Sequence, residues 1–403
     1  MSHRLRLAVT LALSSLAGLA HAAGFALIEQ NASGLGNAYA GQAASAQDAS
    51  TIFFNPAGMT LLPDRQVVMA GHLIAPNAEF NGTVSAPIGG GNGGDAGGLA
   101  FVPNGYFAFR LTPDVHLGIG MFAPFGLKTE YDTSWKGRIH AIESEVKTIN
   151  INPSIAWRAN ERLSLGAGLS LQYMEATLSN ATGAGSPVPV GLVKGDDYGW
   201  GFNLGVLWTV QEGTRVGLAY RSEIDHTLEG DFRQNGAVVF PTVYADVTLP
   251  DSLALSVSHR VNDQWDILAD VTWTGWSDFE ELLIRRPNNI PLSQVDEKWD
   301  DSLRFSVGAN YRLNESITLR GGIAFDQTPV SDTYRTARIP DEDRTWVAFG
   351  VQYRLSPKSL IDVGYAHLFV KDASISEVRS GVTLDGSYDA SVDILSAQLT
   401  HSF

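Results

Sequence analysis

The stretch Leu395-Ser396-Ala397-Gln398-Leu399-Thr400-His401-Ser402-Phe403 decides the fold. Every second position reads Leu, Ala, Leu, His, Phe, and the positions between read Ser, Gln, Thr, Ser. A period of two places these sets on opposite faces of a sheet. If the apolar set faces lipid, the polar set lines a lumen, which is the pattern of an outer-membrane strand. The stretch ends on an aromatic side chain, Phe403.

Similar segments recur through the chain: Gln66 to Ile74, Val102 to Leu111, Val115 to Met121, Val146 to Arg158, Leu163 to Leu178, Tyr198 to Val210 and Arg215 to Phe232. They continue at Val247 to Val261, Asp266 to Ile284, Trp299 to Leu313, Ile317 to Phe325, Thr345 to Leu355 and Leu360 to Val370. With the last segment they come to about fourteen, an even number as single-chain outer-membrane barrels require. The connections alternate too. Thr112-Pro113-Asp114, Asn262-Asp263-Gln264, Asn314-Glu315 and Ser356-Pro357-Lys358 are tight polar turns. Gly82 to Gly98, Asn180 to Gly195 and Asp326 to Asp343 are long links, so one rim carries turns and the other loops. Aromatic residues near strand ends, among them Tyr106, Trp157, Trp208, Trp276 and Tyr365, suit interfacial girdles.

A soluble β-sandwich also alternates, but the first residues argue for export. Arg4 and Arg6 precede an apolar run from Leu7 to Ala20, then Ala20-His21-Ala22, the order of a signal peptide cleaved after Ala22. That run is too short for a spanning helix. The formal charge is -15, or -17 once those two arginines leave, which excludes a phosphate-binding surface and hence a nucleic-acid partner. Cysteine is absent, so there is neither a disulfide framework nor a thiolate metal site. The histidines are scattered without ligand spacing, and no Gly-x-Ser-x-Gly elbow, His-Glu-x-x-His or phosphate loop is present. No catalytic residue, metal or cofactor is expected.

The division is therefore 1–22 leader, 23–62 a non-alternating segment and 63–403 barrel. Residues 23–62 are Ala-rich with Gly breaks, implying short helices and turns. Such a segment fits inside a wide barrel as a plug.

Ala23-Gly24-Phe25, Ser33-Gly34-Leu35-Gly36-Asn37-Ala38-Tyr39 and Asn55-Pro56-Ala57 resemble the hatch of the FadL family of outer-membrane long-chain fatty-acid transporters. Ala123-Pro124-Phe125-Gly126-Leu127, Tyr220-Arg221-Ser222-Glu223, Gly322-Ile323-Ala324-Phe325-Asp326 and Ile339-Pro340-Asp341-Glu342-Asp343-Arg344 continue the resemblance in the family's order. It implies an all-β transmembrane protein, a fourteen-stranded antiparallel barrel with a partly helical N-terminal hatch in the lumen. Extracellular loops would capture a hydrophobic molecule, an internal apolar pocket would receive it, and a gap at a kinked third strand would release it sideways.

The same resemblance assigns roles. Phe25 reaches the internal pocket, the Asn55-Pro56-Ala57 turn takes part in gating, and Asp326 holds that turn from the wall. Arg344 neutralises neighbouring acids. Pro124 and Gly126, with Phe125 between them, disrupt strand three, since Pro donates no ladder hydrogen bond and Gly weakens a strand; ending the strand into a loop is the alternative. Where the family places a carboxylate-binding arginine and lysine, this chain has Glu175 and Asp300. Lys298 and Arg304, two and four residues from Asp300, share its strand face and are candidate substitutes. Otherwise the ligand is uncharged, an aromatic or other hydrocarbon. A porin-like or adhesin barrel with a structural plug is the other reading. The partners implied are a fatty acid or other hydrophobic small molecule, outer-membrane lipid and lipopolysaccharide, and the barrel-assembly machinery that reads the last strand. The protein is expected to be a monomer in the outer membrane.

Overall fold

The computed structural model describes residues 24–183 and 188–403; the expected leader and its cleavage point lie outside the described residues. A closed antiparallel barrel of fourteen strands forms the wall. In chain order these are β1 (Arg65–Val84), β2 (Ala100–Thr112), β3 (Val115–Phe122, resuming at Gly126–Glu130), β4 (Glu143–Arg158) and β5 (Leu163–Ala181). Next come β6 (Val190–Gln211), β7 (Thr214–Arg221 and Ile224–Gln234), β8 (Ala237–Leu249 and Ser252–Arg260), β9 (Trp265–Thr274, extended by Glu281–Arg285) and β10 (Ser302–Arg312, preceded by its extension Pro291–Asp296). The last are β11 (Ile317–Asp326), β12 (Arg344–Ser356), β13 (Ser359–Val370 and Ala373–Arg379) and β14 (Val382–Ser402). β14 pairs with β1 from Gln66↔Ser402 to Val84↔Leu384 and so closes the sheet on itself.

The opening stretch behaves as its alternation requires. Leu395 and Leu399 are 50% and 44% exposed, whereas Ser396, Gln398 and Thr400 at the alternate positions are buried. The apolar face meets lipid and the polar face turns into the lumen. Two of the expected girdle aromatics belong to the inner set instead, because Tyr106 and Trp276 are both buried. Strands also reach further than the apolar pattern suggests. β7 and β8 run up to a two-residue hairpin at Asn235-Gly236, both at positive φ (50° and 82°). Asn-Gly is the dipeptide that such a turn favours. About ten tilted residues cross the apolar band, yet β6 has 22 residues and β14 has 21. The outer part of the barrel therefore stands clear of the membrane.

Residues 24–62 run through the lumen as short pieces, α1 (Ala32–Leu35), α2 (Gln42–Ser45), α3 (Thr51–Phe54) and a 3-10 turn at Pro56–Leu61. Their backbone groups are out of reach of water and need partners. The inward polar positions of the strands supply them. Gln398 accepts from the N–H groups of Ala32 (3.0 Å) and Ser33 (3.4 Å) and donates to Asp48 (2.9 Å). Ser256 Oγ accepts from Ala43 N (3.1 Å), and Asn37 donates to Asn310 (3.0 Å). Arg320 donates to Ser33 O while ion-paired with Asp362 at 2.9 Å. Close seating also needs small wall residues. A Cβ on Gly205 would overlap Asn55 Oδ1, and one on Gly166 would overlap the Pro56–Ala57 peptide.

Candidate functional site

Three cavities follow one another along the barrel axis. The outermost is a vestibule of about 890 Å³ lined by Tyr334, Arg335, Arg338, Glu377 and Arg379 among others. Beneath it lies an apolar pocket of about 70 Å³ walled by Val146, Met174, Leu228, Val247 and Phe279. Leu178, Val193, Leu282, Ile284 and Arg338 line both. An inner cavity of about 330 Å³ comes next, and Phe25, Leu127 and Ile339 are common to it and the apolar pocket.

Phe25 is the partition. Its ring packs edge-on against Trp276 (4.8 Å between centroids), Trp299 (5.8 Å), Phe125 (6.1 Å) and Phe279 (6.1 Å). Gly24 makes this approach possible, with φ of +58° and no room for a Cβ against Trp299 and Trp276. The tail is held mainly through backbone. Gly126 N donates to Phe25 O (3.0 Å), Leu27 N donates to Pro124 O (2.8 Å), and Gly24 N donates to the Asp341 carboxylate (3.0 Å). Arg344 grips Gly24 O (3.1 Å) and Asp341 (2.6 Å), so its charge is neutralised within the lumen.

The third strand is interrupted where Pro124 and Gly126 stand. Phe122 pairs with Asn150 and Gly126 with Lys147, so Ala123, Pro124 and Phe125 oppose only two residues of β4. Thr148 Oγ1 fills in, accepting from Phe125 N (3.1 Å) and donating to Phe125 O (2.6 Å). On the other side the β2–β3 ladder ends at Gly105↔Met121. The next bond spanning that seam is Glu130 N to Ala96 O, at 3.0 Å. Between these two points the wall has a window, and the inner cavity lies behind it, lined by Ile74, Pro76, Pro124 and Gly126.

Of the residues singled out from sequence, Phe25, Pro56, Pro124, Phe125, Gly126, Arg304, Asp326 and Arg344 line the inner cavity together. Asn55 and Ala57 do not. They are fully buried beneath it, with Asn55 Nδ2 bonded to Ala43 O (2.7 Å) and Val206 O (2.9 Å) and Oδ1 accepting from Ala57 N (3.1 Å). Asp326 therefore does not hold this turn; it accepts from Trp346 Nε1 (3.3 Å) and lies 4.0 Å from Arg304. Arg304 donates one hydrogen bond, to Ala38 O (2.9 Å), and its buried Nε and Nη1 donate none, Nε facing Asp326 at 4.0 Å. Lys298 is elsewhere. It sits on a turn with φ of +43°, bonded to Asp296 (2.8 Å) and Tyr334 (3.3 Å), and lines none of the cavities. The acids expected at the family's cation positions are also off the route: Glu175 pairs with Lys194 (3.0 Å), and Asp300 is exposed.

Some groups on the route are given no role by the sequence pattern. Arg221 lines the inner cavity, donates to Phe53 O (3.0 Å) and stacks 4.6 Å over the Phe53 ring. Strand parity would have found it, since Gly217 and Ala219 share its inward face. Glu29 also lines that cavity, and burial pushes its carboxyl up to about 7 against the pull of a backbone hydrogen bond, Arg344 and Arg304, with Asp326 adding to the rise. Arg338 and the buried Glu297 line the apolar pocket, and nothing local in the sequence marks them.

Residues 13–403 match the family described as outer membrane protein transport protein (OMPP1/FadL/TodX). The chain is 33% identical over 419 residues to outer membrane protein P1 of Haemophilus influenzae, covering 90% of each. It is 30% identical over 411 residues to a long-chain fatty acid transport protein of Escherichia coli O6:H1, covering 92% of each. The fold is similar to the crystal structure of a FadL homologue from Pseudomonas aeruginosa, with a TM-score of 0.88, 26% identity, and coverage of 94% of this chain and 100% of that one.

Proposed function

The chain belongs to the OMPP1/FadL/TodX family of outer-membrane transport proteins, and from that premise we propose that it takes long-chain fatty acids passively across the outer membrane by a route that leaves the barrel sideways. The observation that carries this reading is the succession of three cavities with shared walls, ending behind a window in β3. An acyl chain moving from water into such walls gains roughly 0.8 kcal/mol per buried CH₂. Capture therefore needs no energy source. A molecule that prefers lipid to water has no reason to continue down a polar lumen plugged by residues 31–62. The window lets it pass into the bilayer directly.

Phe25 is the gate in this scheme, because of the three residues shared by the apolar pocket and the inner cavity it is the one carried on the short N-terminal tail. The segment 23–62 acts as the hatch and stays in the lumen while the tail moves. The protein works as a monomer amid lipopolysaccharide, delivered by the assembly machinery that recognises the strand ending at Phe403. An uncharged aromatic hydrocarbon is the second reading, favoured by the mostly apolar walls of the middle pocket.

Uptake of labelled oleate and of labelled toluene by cells lacking or expressing the full chain separates the two. Oleate uptake is expected to depend on the protein more than toluene uptake does. The reverse dependence would make hydrocarbon the substrate, and independence of both probes would sink the transport reading.

A further inference from the structure

In the inner cavity Arg344 and Arg304 stand against acids and Arg221 is held by Phe53 O, Ser170 Oγ and the Phe53 ring, which leaves open where an anionic head group would be received. Arg344 is paired with Asp341 at 2.6 Å, and Arg304 stands 4.0 Å from Asp326. In the vestibule Arg335 is spent on Asp332 (2.5 Å) and Glu342 (3.5 Å). Arg338 differs from these three, and unlike Arg221 and Arg379, which also lack an ion pair among the described residues, it lines both the vestibule and the apolar pocket. Among the described residues no carboxylate lies within ion-pair distance of it. Its side chain is fixed through Nη1 alone, to Ser144 Oγ (2.9 Å), Glu143 O (3.2 Å) and Ser179 O (3.3 Å). Its own carbonyl is held by Thr129 Oγ1 (3.0 Å).

This is a guanidinium oriented by neutral acceptors and kept nearly free of water, at 6% exposure. Burial pulls it down to about 10, with Arg379 adding to the fall and Glu377, Glu297 and Tyr131 opposing it from beyond ion-pair distance, so it is still charged at neutral pH. A buried cation without a counter-ion is costly. A site that lacks its own anion is ready for one from outside, and an Arg fork suits a carboxylate. Its place is also right, since Arg338 lines both the vestibule and the apolar pocket.

Resting on the transport reading above, we propose that Arg338 is the head-group receptor of this pore: it takes the carboxylate of an acyl chain whose tail enters the apolar pocket beneath. Glu297 lines the same pocket, accepts one bond from Trp299 Nε1 (3.1 Å), and forms no ion pair with Arg338. Burial raises its carboxyl to about 8; Glu377 adds to the rise, and Trp299, Arg338 and Arg379 oppose it. Glu377 is itself engaged by His140 at 3.3 Å. Below pH 8 Glu297 is a neutral acid whose O–H can donate to the ligand. Above it the ionised group competes for Arg338 and repels an incoming carboxylate.

The test compares uptake of labelled oleate and labelled oleyl alcohol by cells expressing the full chain, which differ in the head group alone. Arg338→Gln is expected to lower the oleate-to-alcohol uptake ratio about tenfold, with Arg338→Lys recovering part of it. In the wild type the ratio should fall between pH 7.5 and 9, and Glu297→Gln should flatten that fall. An unchanged ratio in Arg338→Gln overturns the proposal, as does an equal loss of both probes. Should the wild type carry neither probe, the transport reading falls with it; if it carries both at one rate whatever stands at 338, only the receptor falls.

Discussion

The two ends of the luminal segment are held in opposite ways. From Asn31 to Leu61 the chain is seated on glycines and tied by side chains of at least four strands, including the buried Arg320–Asp362 pair. From Gly24 to Leu27 the polar ties are mostly backbone bonds to one broken strand and to Asp341, one side chain, Phe25, supplies the aromatic packing, and the chain faces empty space on two sides. Stability against local opening tracks the number of buried contacts. The tail is thus the part of the lumen that can move without disturbing the barrel.

The largest effect tests the fixed end. Asp362→Ala leaves Arg320 buried with Ser33 O and no counter-ion, a change that costs roughly 3–5 kcal/mol. Thermal unfolding of the purified protein in detergent should show a clearly lowered midpoint. Phe25→Ala is the matching change on the tail. An ordinary core phenylalanine would lose about as much, but a separable tail predicts a loss under about 1 kcal/mol. Equal losses for the two variants would erase the distinction.

Next in size is a lock on the tail. Ala26 and Phe125 form an isolated antiparallel bridge flanked by the Leu27–Pro124 and Gly126–Phe25 bonds, a non-hydrogen-bonded pair. Such pairs approach to about 4.5 Å between Cα atoms, within disulfide reach. The chain has no cysteine of its own, so Ala26→Cys with Phe125→Cys gives a single defined crosslink. Oxidised, it should cut oleate uptake about tenfold, and reduction should restore it. Full uptake through the oxidised protein would mean that the tail is no gate.

The same contrast explains what could be read from sequence. Alternation is a local property, so Leu395 to Phe403 announced its two faces without help from the rest of the chain. Asn55-Pro56-Ala57 is visible as a turn, but its partner, Val206 O, is 151 residues away and nothing local points to it; the resemblance points to Asp326 instead. Lys298 lies off the strand face that parity assigns it. Carrying strand parity from 300 to 298 assumes unbroken pleat, and the backbone between Asp296 and Ser302 is irregular, with Lys298 at positive φ. Arg338 lay in a loop without periodicity, and the acceptors that orient it belong to β4 and β5, more than 150 residues distant. Parity finds what a strand dictates; it is silent where a loop folds back into a barrel.

The smallest effect concerns the joint between the two regions. Glu29 stands there, its carbonyl bonded by Asn104 (2.8 Å) and its carboxyl facing the inner cavity near Arg344, Arg304 and Asp326. Its folded value of about 7 lies above the ordinary 4.5, so burying it favours the neutral form. The stability this contributes is present below pH 4.5 and lost as pH rises through 7, roughly 3 kcal/mol in all by linkage. Release of the tail wets the joint and returns the carboxyl toward its ordinary value, so rising pH should favour release. Oleate uptake is expected to rise about threefold between pH 6 and 7.5 and to lose that rise in Glu29→Gln. If Glu29→Gln keeps the same pH dependence, the joint is not where the tail is released, and the boundary between fixed and movable chain lies nearer to Phe25.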